Sequence, residues 1–177
     1  MSHAIALLRA VNVSGTGAVK MAALRTLGET LGFTNVRTLL QSGNIVFDGA
    51  EGSDEALERR WEAAVEEQLG VRTTFMIRKP AEWLAMITAN PFEAEAKADP
   101  AHLVALVAKG NVGADDVAGL RAAIKGAEKV EAGQRCVYAW YPDGIGESKL
   151  TAKLIERHLG VAVTGRNWNT VLKLAEM

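Results

Sequence analysis

Apolar positions along the chain follow two rhythms, short continuous runs that suit buried strands and 3.6-spaced stripes that suit helices. Ala4 to Val11 is a run of strand length ending in Arg9-Ala10-Val11-Asn12, apolar on both faces. Val13-Ser14-Gly15-Thr16-Gly17 is loop chemistry. Met21, Leu24, Leu27 and Leu31 then recur at helical spacing, and Gly32 stops the helix. Val36 to Leu40 and Ile45 to Phe47 read as strands around the turn Gln41-Ser42-Gly43-Asn44. Ser53 or Asp54 caps a helix striped by Leu57, Trp61, Val65 and Leu69, with Gly70 at its end. Arg72 to Arg78 is a fourth strand. The order β-α-β-β-α-β predicts an antiparallel sheet with two right-handed crossovers, its first and third strands central, a ferredoxin-like arrangement.

The same rhythm then returns. Pro80 opens a short helix carrying Trp83, Leu84 and Ile87, and Asn90-Pro91-Phe92 stops it. Glu93 to Pro100 is acidic and alanine-rich and reads as a linker. His102 to Ala108 is a strand, and Val117, Leu120 and Ile124 mark a helix. Lys129 to Glu131 and Arg135 to Tyr141 form a hairpin about Gly133. Leu150, Leu154, Ile155 and Leu159 mark a helix that Gly160 ends. Val161 to Val163 is a brief last strand, and Trp168, Val171, Leu172 and Ala175 make the apolar face of a final helix. The fold class expected is α+β, two βαββα(β) halves, the first a ferredoxin-like antiparallel sheet with its helices on one face. The divisions are 1–79 for the first half, 80–100 for a short helix and linker, and 101–177 for the second half. Two details point to an internal repeat. Three helices end in Leu-Gly-apolar, and Asn12-Val13 and Asn111-Val112 each follow a first strand, just after Arg9 and Lys109 respectively.

Composition narrows the function classes. Hydrophobic residues make up 49% and charged residues 23%, the balance of a globular protein. A net charge of -1 argues against a dedicated nucleic-acid or polybasic membrane binder. The single cysteine, Cys136, excludes an internal disulfide and suits a reducing compartment. Met1-Ser2-His3 leads straight into strand-like sequence with no charged leader, and no run reaches the length of a membrane span, so the expected location is the cytoplasm.

Topology suggests where chemistry would gather. The loop after the first strand and the turn between strands two and three fall on one sheet edge, which brings Arg9 and Asn12 beside Gln41, Ser42 and Asn44. The first helix starts on that edge, with its free N–H groups and positive dipole end there. Cation, amides, hydroxyl and helix start together suit an anion such as a phosphate or carboxylate. Near the chain's end, Thr164-Gly165-Arg166-Asn167-Trp168-Asn169-Thr170 is read as the start of the last helix, with Arg166, Asn169, Thr170 and Lys173 on one face. Gly144-Ile145-Gly146-Glu147-Ser148-Lys149 is read as opening the preceding helix, without phosphate-loop spacing. Lys149, Lys153 and Arg157 make a charged stripe there of the kind that is usually solvated. The candidate ligand-binding residues are therefore Arg9, Asn12, Gln41, Ser42, Asn44, Lys149, Arg166, Asn167 and Asn169.

Standard catalytic sets are missing. Ser148 and Lys149 are neighbours and do not face each other on a helix, and His3, His102 and His158 lack metal spacing. Cys136 reads as a small core residue, and Tyr138 and Trp140 as core aromatics rather than base-stacking platforms.

Arg9-Ala10-Val11-Asn12-Val13-Ser14-Gly15, Gln41-Ser42-Gly43-Asn44 and Arg166-Asn167-Trp168-Asn169-Thr170 together resemble the bacterial family known as domain of unknown function 1697. Met21, Asn90-Pro91-Phe92 and Ser148-Lys149-Leu150 extend the resemblance over almost the whole chain. Ala10 and Ser14 stand where the family usually has glycine. The resemblance implies two α+β halves, the first ferredoxin-like, and brings no activity, catalytic residue or cofactor. The leading expectation is a protein that binds a small anionic ligand, phosphate- or nucleotide-like. The alternatives are an enzyme that stabilises charge on such a ligand, a nucleic-acid-binding module, and a structural or protein-interaction module whose open sheet face is covered by the second half or a second copy of the chain. Cofactor, catalytic residues and oligomeric state are left unassigned.

Overall fold

The computed structural model describes residues 2–9 and 19–177. Among them are eight strands and seven α-helices. They divide into two compact units, Met1–Trp83 with Met177, and Leu84–Glu176. No helix among the described residues is long and apolar enough to cross a membrane.

In the first unit β1 (His3–Leu8), α1 (Met21–Thr30), β2 (Thr34–Leu39), β3 (Asn44–Asp48), α2 (Asp54–Leu69) and β4 (Phe75–Arg78) follow in order. The sheet runs β2-β3-β1-β4, antiparallel throughout, so β1 and β3 are central, as the alternation of elements requires. Ala4, Ala6, Leu8, Ile45, Phe47, Phe75 and Ile77 face the helices. Trp61 from α2 packs there, its ring 5.6 Å from Phe33, 5.4 Å from Phe47 and 5.4 Å from Phe75. Ile5, Leu7, Val46 and Met76, which alternate with these, are buried as well. Both faces of β1 are shielded from solvent, which is why it reads as a continuous apolar run rather than an alternating one.

The second unit holds most of α3 (Pro80–Thr88), then α4 (Glu93–Ala98), a 3₁₀ turn at Pro100–His102, and β5 (Leu103–Ala108). There follow α5 (Ala114–Ala123), β6 (Lys129–Gly133), β7 (Cys136–Trp140), α6 (Ala152–Leu159), β8 (Val163–Asn167) and α7 (Trp168–Glu176). Its sheet runs β6-β7-β5-β8, the same order as the first. Residues 93–98 are helical where a linker was expected. Alanine and glutamate are good helix formers, Glu93 and Glu95 stand at the helix's positive end, and Lys97 at its negative end pairs with Glu93 at 3.1 Å.

The likeness of the units extends to register. Ile5 lies opposite Arg78 in the first sheet, and Ala105 opposite Arg166 in the second. Leu8 N–H donates to the Gly43 carbonyl and Ala108 N–H to that of Arg135, both at 2.9 Å. Gly43 and Arg135 each have positive φ, 85° and 55°. Arg9 N–H donates to the Thr74 carbonyl and Lys109 N–H to that of Ala162, again at 2.9 Å. The Arg9 and Lys109 positions noted in the sequence are therefore structural equivalents, 100 residues apart in numbering.

Candidate functional site

In the first unit the β1 end carries Arg9 onto the expected edge. The Leu8–Gly43 bond ties β1 to the β2–β3 turn, and the Arg9–Thr74 bond ties it to the start of β4. Thr73 Oγ1 also donates to the Arg9 carbonyl at 3.0 Å. Arg9 is half-buried, and Gln41 and Ser42 are exposed beside it on the turn. Gly43 is required by geometry: its φ is +85°, and a Cβ there would stand 2.8 Å from the Leu8 Cβ.

Asn44 does a different job from the one expected. It is fully buried, and its Nδ2 donates to the Leu39 carbonyl at 2.8 Å and to Ser42 Oγ at 2.9 Å. Both bonds lie inside the turn, so Asn44 locks the turn's shape rather than presenting a donor to solvent. Asn12 lies outside the described residues.

The crossover places α1 at the same edge. β1 and β2 are both antiparallel to β3 and so parallel to each other, and α1 returns between them. Lys20 occupies its N-cap position with no side-chain cap bond, and its first turn has no acid. By contrast, α2 has the Ser53 cap with Asp54 and Glu55, and α5 begins with Asp115 and Asp116. Carboxylates that usually compensate a helix start are thus present at those helices and absent at α1.

In the second unit the C-terminal motif is redistributed. Arg166 and Asn167 lie on β8, not on a helix, because β8 pairs with β5 through Asn167. Arg166 is buried, and its Nη1 donates to Thr164 Oγ1 at 2.7 Å and the Gly165 carbonyl at 2.9 Å. Burial pushes its pKa down to about 10, still far above neutral, so the group is charged at pH 7. Arg78 is its register counterpart, equally buried, with Nη1 donating to the Ile77 carbonyl at 2.8 Å. In both arginines Nη1 donates to a carbonyl of its own edge strand, and Arg78 Nε also lies 3.5 Å from Glu82 Oε1. Sequence reading singled out one and passed over the other.

Asn167 caps α7: its Oδ1 accepts from Thr170 N–H at 3.0 Å. Asn169 is exposed on α7, where Trp168, Thr170, Val171 and Leu174 make the buried face. Leu172 and Ala175, expected in that face, are exposed, because the side of α7 that packs is centred on Trp168, Val171 and Leu174, with Thr170 in the place expected for an apolar residue.

Lys149 likewise precedes its helix. Thr151 caps α6 by accepting from Leu154 N–H, so residues 144–149 form an irregular segment and Lys149 is not in helical register with Lys153 and Arg157. Ser148 Oγ donates to Glu128 Oε1 at 2.6 Å and accepts from Leu150 N–H, and this bond, with the backbone of Glu128, holds that carboxyl below its usual range. Lys149 borders a cavity of about 240 Å³ together with Lys125 and Glu128.

The structure thus sets Arg9 next to Leu8, whose N–H is bonded to Gly43 of the 41–44 turn, and puts Arg166 and Asn167 on one strand of the other unit. No group of three or more metal-ligating side chains occurs among the described residues. Cys136 is buried in β7, and Tyr138 is buried with its hydroxyl donating to the Met86 carbonyl at 2.6 Å.

Sequence reasoning also missed a larger cavity of about 460 Å³ beside Gly165, over Val104 and Leu106 and under the start of α6. The available signal was Gly165 itself, a glycine within a strand, which often marks close approach of a ligand or backbone.

The family model described as "Protein of unknown function (DUF1697)" matches residues 1–138. Among solved structures, the chain is similar to "conserved bacterial protein SP0830 from Streptococcus pneumoniae". The TM-score is 0.73 at 22% identity, covering 99% of this chain and 97% of that one, a likeness of fold. No curated protein matches the chain.

Proposed function

The chain belongs to the family described as Protein of unknown function (DUF1697), and we propose that it binds a small phosphate-like anion at the first unit's β1–β2/β3 edge. Arg9 is the principal cation of this reading, and Gln41 and Ser42 supply neutral donors. The observation that carries it is the pair of backbone bonds, Leu8 to Gly43 and Arg9 to Thr74, which fasten Arg9 beside the exposed turn. The α1 start, without cap or acid and with Lys20 at its N-cap, adds to the positive character of that edge. Asn44 supports the site by holding the turn and does not contact the ligand. The reducing environment of the cytoplasm suits the lone cysteine.

The reading does not require an enzyme. Binding rests on charge-assisted hydrogen bonds, each stronger than its neutral equivalent. An enzyme would use the same donors to stabilise developing charge, and that remains the second form of the same site.

Isothermal titration with inorganic phosphate and with a nucleoside monophosphate tests the proposal. Wild-type protein is expected to give saturable heat with at least one, and Arg9→Ala to lose roughly tenfold or more in affinity. Absence of heat with both, or equal affinity in Arg9→Ala, overturns it.

A further inference from the structure

The two units treat equivalent edge strands differently, and the difference exposes a backbone donor. In the first unit, Glu62 accepts the Phe75 N–H and Glu58, one turn earlier on α2, accepts the Ile77 N–H, both at 2.9 Å. These N–H groups point away from β1, off the open edge of β4. In the second unit Glu156 accepts the Val163 N–H at 3.1 Å, the counterpart of the Glu62 bond. Strand alternation then directs the Gly165 N–H off the same edge as Val163, two residues along. The residue one turn before Glu156 is Ala152, where the first unit has Glu58. An alanine has no acceptor to offer.

Helix length explains the opening. α2 has 16 residues and carries a further turn, Asp54–Leu57, before Glu58, whereas α6 has 8 residues and begins at Ala152. The cavity of about 460 Å³ beside Gly165 is bordered by Ala152, which stands at the Glu58 position, and by Leu150 and Thr151 of the irregular segment before α6. Its volume is in the range of small-ligand sites. Val104 and Leu106 line it from the sheet, and Leu150 and Ile155 from the α6 side. Ile145, 49% exposed, stands at its margin. A Cβ on residue 165 would come to 3.0 Å from Val104 Cγ1 and 3.3 Å from Leu106 Cδ2, so glycine leaves the strand approachable from this side.

We propose that this groove binds a small carboxylic acid with an apolar body. Its carboxylate takes the Gly165 N–H as Glu58 takes the Ile77 N–H, and its body lies on Val104, Leu106 and Ile155. The first unit supplies the occupant's chemistry: its equivalent place is filled by a carboxylate preceded by the buried Leu57. The site lies within the second unit and does not depend on the Arg9 reading.

The test follows the Gly165 amide by ¹H–¹⁵N correlation spectroscopy on the full chain, titrated with 3-phenylpropanoate, 3-phenylpropanamide and inorganic phosphate. The acid is expected to give a saturable downfield proton shift, and the amide and phosphate none. Ala152→Glu, which installs the missing acceptor, is expected to keep or raise the melting temperature, to show the Gly165 proton already downfield, and to abolish the response to the acid. Ile145→Ser, at an exposed position, is expected to weaken binding roughly tenfold through lost apolar contact. The proposal is overturned by no saturable shift with the acid, by an equal shift with phosphate, or by undiminished binding in both variants.

Discussion

Replacing Glu58 with alanine tests the comparison on which the second-unit groove depends. Glu58 is 1% exposed, and its Oε1 accepts the Ile77 N–H at 2.9 Å. The bond has an ionisable acceptor, and removing it leaves a buried edge N–H without its carboxylate, at a cost of about 1.5–3 kcal/mol. Alanine returns a few tenths of a kcal/mol in helix propensity. The first effect wins, for a net loss of about 1–2.5 kcal/mol. With a urea slope of about 2 kcal/mol/M, the midpoint falls by roughly 0.5–1.2 M. Urea unfolding followed by circular dichroism measures the midpoint, and hydrogen exchange at the Ile77 amide localises the effect to β4. Glu62→Ala, whose bond to Phe75 is only partly buried, is expected to lose less. An unchanged midpoint together with unchanged protection of the Ile77 amide would refute the reasoning. The edge N–H would then not depend on a carboxylate, and the contrast with Gly165 would carry no meaning.

Two further predictions concern packing and pH. Gly28→Ala in α1 gains about 1 kcal/mol of helix propensity, yet its Cβ would stand 2.8 Å from the Trp61 Cη2 and 3.0 Å from Val36. Trp61 is held by three aromatic neighbours, so overpacking of about 1–3 kcal/mol outweighs the gain. Gly119→Ala in α5, where the Cβ meets only His158 at 3.5 Å, is expected to stabilise by about 0.5–1 kcal/mol; paired thermal melts read both signs, and stabilisation by Gly28→Ala would show that Trp61 yields. Burial, then the charge of Glu128, pushes the Tyr141 phenol up to about 12 from 10.0. A group raised in the folded state stabilises below its unfolded value and loses that contribution as pH rises through the folded one, here from 10 to 12. Tyr141→Phe therefore melts lower at neutral pH, by about 1 kcal/mol for the lost bond to the Leu150 carbonyl, but falls less steeply between those pH values. An identical alkaline slope in both proteins would count against the buried phenol.

What could be read from the chain alone was whatever local pattern determines. The stripe Leu57, Trp61, Val65 identifies α2, Ser53 starts it and Gly70 ends it with a φ of 67°, because cap chemistry acts over a few residues. The alternation of elements also determined the strand order, since short crossovers leave few topologies. From that order came the adjacency of Arg9 and the 41–44 turn. Where local signals competed, the motif misled. Arg166 and Asn167 follow a helix stop and precede a helical stripe, so either reading is locally sound, and only pairing with β5 made them a strand. Asn44 looks in sequence like any turn donor. Its burial and its two inward bonds exist only once β3 is packed. The groove at Gly165 was beyond the sequence for a further reason. It depends on an absence, a helix that starts one turn late and an alanine where the other unit has Glu58. The meaning of that absence appears only when β8 can be set against β4, because an unclaimed backbone donor is a property of the partners around a strand and not of the residue that carries it.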